Sequence, residues 1–289
     1  MANKVVKFES RKHAVADPLE HPPVPPERVH YATGMLLDAE DFRAEQTYHR
    51  AQLARALGLM NGSGTIAGLN VTWRKAAPNQ PEEIHVEAGV AIDSLGRLIV
   101  VSRPRCLRLG EWFDEHAEVD QRENRDHLKQ AFFPDVEVAQ FAGDTLTTAK
   151  VTGVVANLFL RLQTCERGKS PVFATGPFDT LDAVEPSRLR EEPELKLVLV
   201  KTIQPTARTL PTKFDLQDLL QIQKTILEWQ DPTVREDLST DVFLARIVLP
   251  AAQTAPTAIP QRAAGDVRID NHIRPFIYSL RALAQWLKL

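Results

Sequence analysis

The sequence predicts an α+β protein, with short antiparallel strands forming a β-rich core, an N-terminal amphipathic helix, and further helices at 214–230 and the C-terminus. Three observations carry this. Runs rich in Val, Ile and Leu recur at 84–109, 154–166, 194–203 and 242–250, each bounded by turn residues. The first of them breaks at "DSLG", where Asp93 and Gly96 suit the first and last positions of a type I turn. The third is the stretch "LDAEDFRAEQTYHRAQLARALGLMNGSG". Here Asp38 stands as an N-cap, and Asp41 three positions on is the acid of a capping box.

From Ala39 a helix is expected to run to residue 60. Phe42, His49, Leu53, Leu57 and Met60 lie along one side of it, and this stripe is expected to face the core, with Phe42, Leu53 and Leu57 buried. "NGSG" stops the helix and "TIAGLNVTW" reads as a strand. Residues 111–150 read as charged helical material followed by a polar linker, and "PVFATGPFDTLDAVEPSRLREEP" as a long irregular segment. "KFDLQDLLQIQKTILEW" and "DNHIRPFIYSLRALAQWLKL" are the two later helices. The domain reading that follows is an extended proline-rich arm over 1–26, a helix-plus-hairpin domain over 27–110, a helical and polar insertion over 111–153, and a second β-rich lobe with a C-terminal helix over 154–289. The arm rests on "HPPVPPERVHY", which favours extended polyproline geometry, so residues 1–26 are expected to order only against another subunit.

Composition narrows the function. Lys and Arg number 35 against 38 Asp and Glu, a net charge of -3 that gives no long-range attraction to nucleic acid or anionic lipid. No apolar run reaches the length of a spanning helix, and the N-terminus lacks an apolar signal core, so synthesis in the cytoplasm without membrane insertion is expected. Cys106 and Cys165 are isolated, with no metal-ligand spacing. Asp93 is a lone carboxylate beside a turn and not a calcium loop. His30, His49, His116 and His127 lack HxxxH or HExxH spacing, and His49 reads as a packed or hydrogen-bonded imidazole on its helix. No phosphate loop, nucleophile elbow or glycosidase pair is present. The expectation is a non-enzyme with no cofactor, metal or catalytic residue.

"RVHYATGMLLDAEDFRAEQTYHR", "VEAGVAIDSLGRLIVVSRPRCLRL", "VFLARIVLP" and "IDNHIRPFIYSLRALAQWL" occur in an order that resembles an uncharacterised structural-protein family encoded with bacterial contractile injection systems and tailed-phage particles. The resemblance spans roughly residues 27–289. It departs at "MNGSGTIAGL", where the family carries a tryptophan-containing "HGWGVVCGL", and in a cysteine-rich middle segment reduced here to Cys165. It implies a structural subunit of the baseplate or fibre-attachment region, present in multiple copies beside other subunits of a virion tail or phage-tail-like particle. The expected interface is Pro22, Pro23, Pro25, Pro26, Tyr31 and Met35, and Tyr31→Ala is expected to impair assembly without unfolding the subunit. The expected structural residues are Asp38, Phe42, Leu53, Leu57, Asp93, Gly96, Arg274 and Pro275. A carbohydrate-binding or cell-wall-hydrolysing module on such a particle is the alternative, with Trp73, Trp112 or Trp229 as a sugar platform.

Overall fold

The computed structural model describes residues 14–20, 27–117, 122–142, 145–171, 184–203 and 240–278. The helix expected at 214–230, the C-terminal helix beyond residue 278 and the prolines at 22, 23, 25 and 26 lie outside the described residues. The chain is β-rich, and its sheets are antiparallel. In order it runs β1 (Ala14–Val15), a 3-10 turn (Pro18–Glu20), α1 (Ala39–Asn61), β2 (Gly64–Gly68), β3 (Val71–Arg74), β4 (Glu83–Val86), β5 (Gly89–Ile92), β6 (Leu98–Val101) and β7 (Arg105–Arg108). Then come α2 (Leu109–Ala117), α3 (Arg122–Gln130), β8 (Phe132–Ala142), β9 (Thr145–Pro171), β10 (Val184–Leu199), β11 (Val242–Ala252), β12 (Gln261–Arg262) and β13 (Arg268–Asp270).

The 27-residue β9 is the spine of a seven-stranded sheet. It pairs with β8, β10, β11 and β1 along its length, and β11 in turn carries β12 and β13. Alternation sorts its side chains onto two faces. Val154, Ala156, Leu158 and Leu160 join Leu244, Ile247 and Leu249 of β11 in the main core. Val155 and Val248 instead meet Val136, Val138 and Val200 in a smaller cluster. Burial on both faces explains why β11 reads as a nearly unbroken apolar run. The main core is closed by two three-stranded sheets, β2-β5-β6 and β3-β4-β7, through Leu69, Val71, Ile84, Val86 and Ile99.

Three expectations about elements need correcting. "TIAGLNVTW" is two strands in different sheets, because Leu69, fully buried, takes φ 57 and turns the chain between them. The expected polar linker before residue 150 is the β8–β9 ribbon, held by inward Val136 and Val138. The expected irregular segment is β10 from Val184 onward, paired with β9 from Val184↔Pro171 to Leu199↔Ala156, and its residues 172–183 lie outside the described residues. Pro186 and Pro193 are tolerated because among the described strands β10 pairs only with β9, which leaves one edge free.

The hairpin expected around Asp93 is present, with Gly96 N–H donating to the Asp93 carbonyl at 3.0 Å and Gly96 at φ 86. The "RPF" stretch is a strap across the β2–β3 corner. Asn271 exchanges two hydrogen bonds with the Val71 backbone, Arg274 Nη1 donates to the Leu69 carbonyl at 2.5 Å, and the Pro275 carbonyl accepts from Thr65 N–H at 2.9 Å. Arg274 is 8% exposed, its guanidinium lies 4.8 Å from the Phe276 ring, and burial pushes its pKa below the ordinary arginine range.

Candidate interaction surface

Asp38 caps α1 as expected. Its Oδ1 accepts from the amides of Glu40 at 2.8 Å and Asp41 at 3.1 Å, while Asp41 Oδ2 accepts from the Asp38 amide at 3.0 Å. Gly62, at φ 71, ends the helix by donating to the Gly58 carbonyl at 2.9 Å.

The helix sits the other way round from the expectation. The large apolar side chains that were expected inside point outward, with Phe42 52% and Leu53 62% exposed and Leu57 only half-buried. What faces the body is a row of small residues, Thr47, Ala51, Ala54 and Gly58, the last two buried. The physical reason is close approach. A Cβ on Gly96 would lie 1.8 Å from the Ala54 carbonyl oxygen, so the β5–β6 turn touches the helix backbone and no larger side chain fits there. Leu53→Ala, expected from the sequence to cost about 2–5 kcal/mol, should instead change the unfolding free energy of the dilute chain by no more than about 0.5 kcal/mol, as measured by urea titration.

The exposed surface continues along the approach to the helix. Tyr31 is 49% exposed, Met35 43% and Leu36 94%, and at the far end Leu59 is 57% and Met60 82% exposed. Tyr31 and Met35 are thus exposed as Phe42 and Leu53 are, and the bond from Tyr31 to Glu45 sets Tyr31 beside α1. The Tyr31 hydroxyl, however, is not open to a partner, since it donates to the Glu45 carboxylate, and that bond holds the phenol above its ordinary pKa. His49 is not buried either, although its ring meets that of Tyr48 edge-on at 5.5 Å. Its side chain is 70% exposed and stands 3.8 Å from Glu45.

The other side of α1 is fixed by a charged network absent from the sequence-based expectation. Arg50 donates to Asp17 Oδ2 at 3.0 Å and to Glu191 Oε1 at 3.1 Å. Arg97 donates to Asp17 Oδ2 at 3.0 Å and, through Nε, to Asp93 Oδ2 at 2.7 Å. The side chains of Asp17, Arg97 and Asp93 are 3%, 4% and 0% exposed. The 1–26 arm is therefore not wholly an arm. Ala14–Val15 pairs with Cys165 and Thr164 of β9, Leu19 is 6% exposed, and Asp17 is part of the interior. Deleting residues 1–26 is accordingly expected to lower the unfolding midpoint in a thermal melt, whereas deleting 1–13 should spare these contacts.

Burial pushes the Asp17 carboxyl up, but the Leu19 amide and the guanidiniums of Arg50 and Arg97 outweigh it and hold the pKa below the usual carboxylate value. A lowered folded pKa stabilises fully above the unfolded value of about 3.9 and is lost as pH falls through the folded value. Asp93 moves the other way, because burial outweighs Arg97. The stability difference between wild type and Asp17→Asn is thus expected to be constant at neutral pH and to shrink below about pH 4, measured by urea unfolding across pH.

The two described indoles and Glu82 are matched within the chain, while Thr65 Oγ1, Arg97 Nη2 and Arg262 Nη1 are buried without a hydrogen-bond partner among the described residues. Trp73 Nε1 donates to Glu82 at 2.9 Å, Glu82 also receives Arg262 at 2.7 and 2.9 Å, and Trp112 Nε1 donates to the Leu197 carbonyl at 3.1 Å. Both indoles pack on the main core, and Trp229 lies outside the described residues. A polar cleft of about 450 Å³ opens beside Asp17, Glu20, Arg161 and Thr164, where Arg161 is paired with Asp241 at 2.5 Å. Among the described residues no three His, Cys, Asp or Glu side chains converge as a metal site, and no helix is long and apolar enough to cross a membrane.

These features define a β-rich α+β protein that carries an outward-facing apolar helix on a small-residue seat. No protein-family model matches the chain, and no curated protein matches it.

Proposed function

We propose that this chain is a non-enzymatic structural subunit of a phage tail or contractile injection system, seated at the baseplate or fibre-attachment region among other subunits of the particle. The observation that supports this most is the set of exposed apolar side chains between Tyr31 and Met60. Large exposed apolar patches on a folded chain mark association sites. Phe42, Leu53, Leu59 and Met60 of this set lie along one helix that is otherwise tied down by Arg50 and by its Ala54–Gly58 seat. The ordered motifs quoted above supply the kind of particle. The function is assembly, with the helix as a rigid rail against neighbouring subunits.

The test is copy number. Sheathed particles purified from the producing cell should contain the chain at a fixed stoichiometry, and Tyr31→Ala or Leu53→Asp should lower that number while leaving the melting curve of the isolated chain in place. Wild-type protein found only outside the particles, or both variants incorporated at the normal copy number, would overturn the reading.

A further inference from the structure

Arg246 of β11 lines a second cleft, about 400 Å³ in volume, beside the small cluster of Val136, Val155 and Val248. It is half-buried, and β13 sets Asp270 opposite it in register. Asp270 is 5% exposed and is already held by backbone, accepting from the His272 amide at 2.9 Å and the Ala139 amide at 3.4 Å. The guanidinium donates from Nε to Asn157 Oδ1 at a long 3.5 Å, and among the described residues its two Nη groups donate to nothing. Burial pushes the Arg246 pKa below the ordinary arginine range, against the pull of Asp270. Arg161, in the cleft beside Asp17, is different, because Asp241 takes it through both Nε and Nη2. Desolvated donors that line a cleft gain most from an acceptor brought in from outside, and they fix its orientation.

The rest of the lining selects the acceptor. Phe133 and Ile203 give the cleft an apolar wall, and Asp135 and Glu137 are exposed at its rim. Unlike Asp270, neither rim carboxylate has a hydrogen bond or ion pair among the described residues. With Asp135, Glu137 and Asp270 all beside Arg246, an incoming anion meets more repulsion than attraction. A neutral carbonyl can accept from Arg246 without adding charge, and a cationic side chain suits the rim.

We infer that this cleft takes a short peptide segment of a partner protein. A main-chain carbonyl accepts from Arg246, an apolar side chain packs against Phe133 and Ile203, and an adjacent lysine meets Asp135 and Glu137. The inference is independent of the particle reading, since it concerns the sheet and not α1, and either can fail alone.

Amide NMR titrations of the full-length chain test it, with N-acetyl-Leu-Lys-amide as the probe. Saturable binding in the millimolar range is expected, with shifts at residues 133–139 and at Arg246. N-acetyl-Leu-Glu-amide should bind about fivefold more weakly, the scale of exposed charge pairs. The double variant Asp135→Asn, Glu137→Gln should erase that preference and leave the thermal melt in place, because both side chains are exposed and unpaired. Arg246→Met should weaken both peptides by about tenfold, the loss expected when a charged donor is removed. Should Arg246→Met lose its cooperative melt, the rim variant, which keeps Arg246, still decides the matter. No saturable shift with either peptide, equal affinity of the wild type for the two, or tighter binding of acetate than of the Leu-Lys amide would each overturn the inference, the last by showing an anion site.

Discussion

Replacing Arg97 with alanine is expected to destabilise the chain by about 3–5 kcal/mol, the range for removing one partner of a buried ion pair. Arg97 is placed between two carboxylates that are almost completely enclosed, Asp93 and Asp17, and its own amide also donates to Asp93 Oδ1 at 2.8 Å. Burial alone would lower the Arg97 pKa, but its bonds to Asp93 and Asp17 raise it, so the guanidinium is charged in the fold. Without it Asp93 keeps only backbone donors, from Leu95 and position 97. Asp17 keeps Arg50. The loss therefore falls mainly on Asp93, whose carboxyl burial already pushes up. Urea unfolding of Arg97→Ala measures the cost. The double replacement Arg97→Met, Asp93→Asn should be less damaging than the single one, because it removes the charge that would be stranded. A single-variant loss below about 1 kcal/mol would mean that water reaches the site and the network is not a buried one.

Gly96→Ala is the second large effect. At φ 86 an alanine carries a left-handed penalty of about 1–2 kcal/mol. Its Cβ would also meet Ala54 oxygen at 1.8 Å and Ala54 carbon at 2.6 Å, both helix backbone atoms that cannot rotate away. Relief requires α1 to lift from the turn, and overpacking of this kind costs a further ~1–3 kcal/mol. The two terms together give about 2–5 kcal/mol. Gly34 offers the control, since it shares φ 86 with Gly96 but its added Cβ meets nothing within 4 Å. Gly34→Ala should show the conformational penalty alone. Equal losses in the two variants would show that the helix does not rest on the β5–β6 turn as closely as described.

Local chemistry was the legible part of the sequence. The Asp38 cap, the stop at Gly62 and the Asp93–Gly96 turn each depend on residues within a few positions of one another, and each stands where the spacing puts it. The inversion of α1 was not legible, because its sequence carries two periodic faces. Phe42, Leu53 and Met60 form one, and Ala51, Ala54 and Gly58 form the other. Which face goes inside is decided by Gly96, 42 positions beyond Ala54, whose lack of a side chain lets the helix backbone come into contact. A helix seated on alanine and glycine gains little area but great proximity, and hydrophobicity ranking misses that. Asp17 was hidden for a similar reason. It lies beside the proline-rich run, and its partner Arg97 is 80 residues away. For β10 the prolines misled, since Pro186 and Pro193 argue against a central strand but not against an edge. Its second half was legible, because "ELKLVLV" falls in the 194–203 run expected as a strand and alternates before it becomes fully apolar, as a strand entering a core does.

The length of β9 has a consequence for how the chain reaches this state. Its neighbours β8 and β10 adjoin it in sequence and can zip onto it as hairpins on a microsecond scale. β1 and β11 cannot, because Ala14 must find Cys165 and Pro250 must find Gly153 across long stretches of chain. Loop-closure entropy is spent before those contacts return anything, so folding is expected to show a fast meander followed by a slower docking of both chain-distant strands. Until the second event the central strand exposes a bare edge over the region later covered by β11, and this nascent species is the one prone to aggregate.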